Sequence, residues 1–214
     1  MQRVIEISDL RTLIRRNETG PYGFRNSAII AAAALWGLTA SELSLVRVRD
    51  VVAPSGQLRL SWELSKEIAY NEIPRKLYTE HPALQRYIKE YLDWRLAENI
   101  GVSEDRTFGG LDPDSSLFVS NRLESLTFSE RETGKPQPSG ANYLFREFFA
   151  AGGIEDLSYS SFRRSLILHL HRQGCTIKDI MVYTGYTSYE SVRRIVDTDP
   201  RKVEDAVANV YGRF

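Results

Sequence analysis

The sequence predicts a mainly α-helical chain with one small antiparallel β-sheet, an α+β arrangement. Three observations predict it. Apolar residues recur at helical spacing along most of the 214 residues, with capping residues before them and glycines after them. One stretch, "QLRLSWELS", alternates apolar and polar with period two. Turn-forming residues gather in one block, about 101–140, instead of recurring every few residues as in an all-β chain.

The first helix expected begins near Arg25 and runs through "NSAIIAAAALW" to Gly37, a natural stop. Thr39 then opens "TASELSLV". Thr39 and Glu42 have the spacing of a capping box, in which the hydroxyl takes a free N–H and the carboxylate reaches back. Leu58, Leu60, Trp62 and Leu64 mark the half-buried face of a strand. A turn near Lys66 and Glu67 leads into a partner strand through "AYNEIP". "HPALQRYIKEYLDWRLAENIG" reads as a long amphipathic helix with Pro82 near its start and Gly101 at its end. The loop-rich block 101–140 holds only the short strand candidate "SLFVS". Helices return with "ANYLFREFFAAGG", "SYSSFRRSLILHLHRQG" and "TIKDIMVYTG". "TSYESVRRIVD" repeats the capping-box spacing with Thr187 and Glu190. Last comes "DPRKVEDAVANVYGRF", with Asp199 as N-cap, Pro200 at N1 and an apolar stripe of Val203, Val207 and Val210.

Composition narrows the function. Hydrophobic residues make up 42% and charged residues 26%, the balance of a soluble globular chain. The single cysteine, Cys175, excludes an intrachain disulfide framework and fits a reducing compartment. "MQRVIEISDLRTLIRR" has no apolar core of a signal peptide, and "AIIAAAALWGL" is too short to span a bilayer, so a cytoplasmic protein with no membrane partner is expected. Net charge is zero, which argues against tight unspecific wrapping of DNA. The charge is unevenly placed: Glu90 to Glu132 carries ten acidic and four basic residues, Ser160 to Lys202 eight basic and four acidic. No glycine-rich phosphate loop and no zinc-ligand spacing occurs, so no cofactor, metal or small-molecule substrate is expected.

The order of helix, capped helix, hairpin, long helix, loop and arginine-bearing helix resembles the catalytic domain of the tyrosine recombinases, the phage-integrase family. The resemblance runs from about residue 25 to residue 207. Its most specific part is "SSFRRSLILHLHRQGCTIKDIMVYTGYTS", which looks like the family's His-x-x-Arg helix, a short glycine-bounded helix, and the Leu-Gly-His-Ser-Ser turn. "DPRKVEDAV" is similar to the closing helix. The resemblance implies one catalytic-type domain over 1–214, with 101–140 as an insertion, 200–210 as a docking helix, and no N-terminal core-binding domain.

Family chemistry is transfer of a DNA phosphoryl group to a tyrosine, helped by two arginines, histidines and a hairpin lysine. Such work is positioning and charge stabilisation around a nucleophile. Taken position by position, the resemblance keeps Lys66, eight residues before Pro74, and Arg163 of the His-x-x-Arg segment. Glu42 of "GLTASEL" is also kept. Thr39 stands where the first arginine is expected, Ser160 and Tyr186 stand for the two histidines, and Ile195 stands for the nucleophilic tyrosine. Threonine and serine carry no positive charge and exchange no protons near neutral pH. Isoleucine cannot form a phosphotyrosine bond. Tyr183, Tyr189 and Tyr211 lie nearby, but none has the right spacing.

The expected DNA-contacting residues are Lys66, Arg163, Arg164, Arg193 and Arg194. Each has a plainer reading. Arg163 can be a helix-end salt bridge, Arg164 a structural charge, Lys66 an ordinary hairpin-tip lysine, and Arg193 and Arg194 a solvated helix face. Thr39 reads as a helix cap and Tyr186 as turn packing. His169 and His171, two apart on a helix, point to different sides and make no metal site; one of them is expected in the core. Cys175 is expected to be structural.

The leading expectation is therefore a catalytically inactive recombinase-like protein that binds double-stranded DNA, associates with the nucleoid, and serves or regulates a mobile element. A second is a modulator that inserts its C-terminal helix into an active recombinase, or into a second copy of itself. A third is a divergent, still active strand-transfer enzyme. "GCTIKDIMVYTGYTSYESVRRI" also resembles a helix-turn-helix, which again implies DNA.

Overall fold

The structure is a computed structural model that describes residues 3–132 and 134–199. The expected helix 200–210, with its valine stripe, and Tyr211 lie outside the described residues.

Helix α1 (Ile7–Asn17), not anticipated from the sequence, buries Leu13 and Ile14 and packs on α2 (Gly23–Trp36) and on α6 (Ser139–Gly152). Its short apolar stripe had been hidden among charges. The segment before it is tied to α7 (Tyr159–Arg172). Ile5 N–H donates to Ser165 Oγ (2.7 Å), His169 Nε2 lies 2.9 Å from Ile5 O, and Arg172 pairs with Glu6 (3.1 Å). His169 and His171 are both half-buried, so the expectation that one sits in the core is not met.

Helix α2 is mostly apolar and mostly buried. It ends at Gly37, whose φ of 61° lies in the left-handed region and whose added Cβ would come 2.8 Å from Leu166 Cδ2. Only glycine serves both demands. The capping box then forms as expected at the head of α3 (Ala40–Leu45): Glu42 N–H donates to Thr39 Oγ1 (3.2 Å) and Thr39 N–H to Glu42 Oε2 (2.7 Å). A short helix α4 (Val48–Val51) follows.

The sheet has two antiparallel strands, β1 (Ser61–Leu64) and β2 (Arg75–Tyr78). Trp62 pairs with Leu77 and Leu64 with Arg75, and these four face inward. The expected alternation holds at Trp62 and Leu64, but Leu60 is 54% exposed because it precedes the paired segment. The partner strand begins after Pro74, not through "AYNEIP". Residues 66–73 form turns instead, with Glu72 at φ 60°.

Helix α5 (Pro82–Ala97) has Pro82 at its first position and is capped by His81 Nδ1, which accepts from Ala83 N–H (3.3 Å). It stops four residues before Gly101. Arg95 turns back into the loop beyond, donating to Ile100 O, Ser116 O, Leu117 O and Ser115 Oγ at 2.9–3.2 Å. The block 101–138 is thus held by a buried guanidinium and by isolated bridges, one of them Arg47 to Ser116. The "SLFVS" segment buries Leu117, Phe118 and Val119 without forming a regular strand.

The main core gathers around Trp36, which meets Trp62 edge-on at 5.2 Å and Phe118 at 6.3 Å. Phe145, Phe148, Phe149, Tyr159 and Phe162 close it between α6 and α7. A smaller core of Ile167, Ile180, Val192 and Val196 joins α7 to α8 (Ile177–Thr184) and α9 (Tyr189–Asp197). Cys175 packs against this second core, as a structural cysteine should. Helix α9 is capped by Ser188, whose Oγ accepts from Ser191 N–H (3.2 Å), rather than by the expected Thr187 and Glu190 pair. No helix among the described residues is long and apolar enough to cross a membrane.

Candidate nucleic-acid interface

Four segments meet at a cavity of about 330 Å³. The α2–α3 turn supplies Leu38, Thr39 and Ala40; α6 supplies Asn142; the head of α7 supplies Ser158, Tyr159, Ser160 and Arg163; the turn after α8 supplies Tyr186. Ser158 and Ser160 hydroxyls are 2.8 Å apart. The cavity thus mixes apolar walls, from Leu38, Ala40 and the Tyr159 and Tyr186 rings, with hydroxyls, one amide and one guanidinium.

Arg163 is half-buried. Its Nη2 donates to Thr184 O, and the Tyr186 ring lies against the guanidinium, 4.4 Å from Cζ to the ring centroid. Its Nε is buried with no hydrogen-bond partner among the described residues. Arg163 makes no ion pair with a described carboxylate. Burial pulls its pKa below the ordinary arginine value, with Tyr186 and Glu42 pulling the other way. The salt-bridge reading of Arg163 is thus not met: its guanidinium is held by the Thr184 carbonyl and the Tyr186 ring and lines the cavity without an ion pair to a described carboxylate.

The other predicted residues divide. Lys66 is at the hairpin tip, 72% exposed, 4.0 Å from Glu67. Arg164 turns away to Thr198 Oγ1 (2.5 Å). Arg193 and Arg194 are exposed and pair with Asp197 (3.4 Å) and Glu190 (3.8 Å) one helical turn away, the solvated-face arrangement. Thr39 is a cap and also lines the cavity. Ser160 is exposed, and Ile195 is half-buried against the second core. Tyr183 donates its hydroxyl to Leu35 O (2.7 Å), and burial lifts its pKa to about 12. Burial also raises Tyr159, whose hydroxyl has no described partner.

Sequence reasoning missed Arg75. It is buried on β2, and its Nη1 and Nη2 donate to Glu42 Oε1 and Oε2, both at 2.8 Å. Glu42 also accepts from Thr39 N–H (2.7 Å) and Tyr70 N–H (3.0 Å). Burial works against the Glu42 charge, but the Arg75 fork and the two N–H donors outweigh it and hold its pKa below the ordinary carboxylate value. The signal was in the period-two pattern: carried one residue past Pro74, it puts Arg75 inward beside Leu77. No group of histidine, cysteine or carboxylate residues among the described residues is arranged to hold a metal ion.

The whole chain superposes on XerA recombinase with a TM-score of 0.73 and 17% identity, covering 100% of this chain and 67% of that one. The chain has the fold of a tyrosine-recombinase catalytic domain. The same fold is found in XerH site-specific recombinase bound to a palindromic difH substrate, with a TM-score of 0.65, 14% identity and coverage of 96% of this chain and 52% of that one. A lambda integrase dimer bound to a COC′ core site matches with a TM-score of 0.58, 14% identity and coverage of 94% and 60%. The chain thus spans about half to two thirds of these recombinase structures. No protein-family model matches the sequence, and neither does any curated protein. With the recombinase fold in place, the expected mainly α architecture with a two-stranded antiparallel sheet holds.

Proposed function

We propose that this chain binds double-stranded DNA through its recombinase fold and does not cut it. The observation that carries the reading is the Arg163 cavity, where a guanidinium without an ion pair to a described carboxylate shares the lining with the hydroxyls of Thr39, Ser158 and Ser160 and the amide of Asn142. Arginine suits a phosphate oxygen in such a setting because its planar fork is always charged. Lys66, at the exposed hairpin tip, adds a second backbone contact. Such contacts set position and orientation on the duplex without reading sequence. Arg193 and Arg194 contribute only if DNA displaces their helix partners, and Arg164 is the weakest of the five.

Loss of cleavage rests on the residues at the resembled positions. Thr39 is used as a cap, Ser160 has no charge, and Ile195 packs on an apolar cluster. Tyr183 is spent on a backbone carbonyl and is held protonated. A non-cleaving recombinase fold of this kind fits a regulator of a mobile element, or a companion to an active recombinase, working at the nucleoid.

The test is selection of bound fragments from sheared genomic DNA at two salt concentrations, with Arg163→Ala alongside. Enrichment that falls with salt and with the substitution supports the reading. Covalent protein–DNA adducts on the enriched fragments would overturn its second half, and no retention even at low salt would overturn the first.

A further inference from the structure

Beneath the Arg163 cavity lies a buried charge that this reading does not use. Glu42 is 1% exposed and sits one helical turn from Thr39, which forms part of the cavity wall and donates its N–H to the Glu42 carboxylate. A bare carboxylate there would oppose any anion in the cavity. Arg75, from the opposite side, takes both its oxygens. Arg75 is also packed under the turn that carries Tyr186. A Cβ added at Gly185 would come 2.8 Å from Arg75 Nη1, Gly185 O accepts from Asn71 Nδ2 (2.6 Å), and Thr184 O holds Arg163. The groups whose charge is felt around this pair are Arg163 and Tyr159 on α7 and Tyr183 on α8.

We propose that Arg75 is a positioning residue of the DNA site: it neutralises Glu42 behind the cavity wall, so that Arg163 faces a phosphate without a competing negative charge. This rests on the reading of Arg163 as a phosphate contact. It also gives the buried Glu42 a place beside Thr39, which carries no charge of its own to offset it. The carboxylate serves the α3 cap and the hairpin turn at Tyr70, and β2 supplies the charge that offsets it.

Substitution separates this role from a purely structural one. E42Q leaves Arg75 charged and unpaired behind the cavity, and DNA binding tightens, on the order of tenfold, as one added unit charge near a partly desolvated anion site gives. R75M strips Glu42 of its partner. Burial then dominates and lifts the Glu42 pKa, so binding is weaker than wild type at pH 8 and recovers toward it as pH falls to 5 and the carboxylate protonates. The E42Q/R75M double variant removes both charges without leaving either bare, so it remains informative where a single variant fails to fold. Its affinity for sheared duplex DNA lies between those of E42Q and R75M, and the pH dependence seen in R75M is absent.

Each variant is compared with wild type at the same pH, and folding is checked by thermal unfolding. A folded double variant that fails to bind, or an E42Q protein that binds no better than wild type, overturns the proposal. If Arg163→Ala itself leaves binding unchanged, the underlying phosphate reading fails instead, and the two failures are told apart.

Discussion

At Glu42 four hydrogen bonds converge on one buried carboxylate, two of them from the buried Arg75 guanidinium. Removing one member of a buried pair leaves the other uncompensated, so Glu42→Gln is expected to cost about 3–5 kcal/mol of stability, read from the midpoint of denaturant unfolding. The pH dependence follows from the depressed pKa of Glu42. Its contribution is present in full above the ordinary carboxylate pKa of 4.5 and is lost as pH falls through the lower value of the folded state. Wild-type stability therefore drops below about pH 4.5, and the part of that drop due to Glu42 is absent in Glu42→Gln. Ile195 is a second residue of consequence. Ile195→Tyr inserts a phenol against the Ile167–Val196 cluster at a cost of about 1–3 kcal/mol. It is expected to form no covalent DNA adduct, because Thr39 and Ser160 still supply no charge. An adduct on a denaturing gel would count against the reading of a lost reaction. The Thr39–Glu42 box was legible because both partners lie within one helical turn. Arg75 was not, because it is 33 residues away and only the fold brings it in.

Helix stops and strand registers show the same division between local and distant causes. Gly37 was readable as the end of α2 and performs that task with φ at 61°. Gly37→Ala adds left-handed strain and a contact with Leu166, and a loss of about 1–2 kcal/mol is expected in thermal or denaturant unfolding; an unchanged midpoint would show that the α2–α7 contact is looser than described. The capping of α9 shifted by one residue, to Ser188, because serine offers the same acceptor as Thr187 one step closer to the helix. The partner strand slid past Pro74 because its pairing is set by the inward face of Trp62 and Leu64, not by the composition of the turn. Helix α1 went unread because its apolar stripe is short and its stability comes from α2 and α6.

For the whole molecule, the order of elements carried more information than any single motif. Each short segment is weakly specific, but the succession of capped helix, hairpin, long helix and arginine-bearing helix matched the recombinase fold from end to end. What the order did not convey is electrostatic. Net charge is zero, yet buried Arg25, Arg75 and Arg95 and half-buried Arg163 each lie in different surroundings. Burial takes the Arg25 pKa down to about 10 against the pull of Tyr91 and Tyr22, while Asn26 and Asn121 accept its N–H groups. Only the three-dimensional arrangement shows which cations are already paired and which face a cavity. The most direct measurement is the affinity of wild type and Arg163→Ala for duplex DNA across a salt series. The expected result is a log–log slope that flattens by about one in the variant, the loss of one phosphate contact, with weaker binding at low salt. Equal affinities and equal slopes in a folded variant would contradict it.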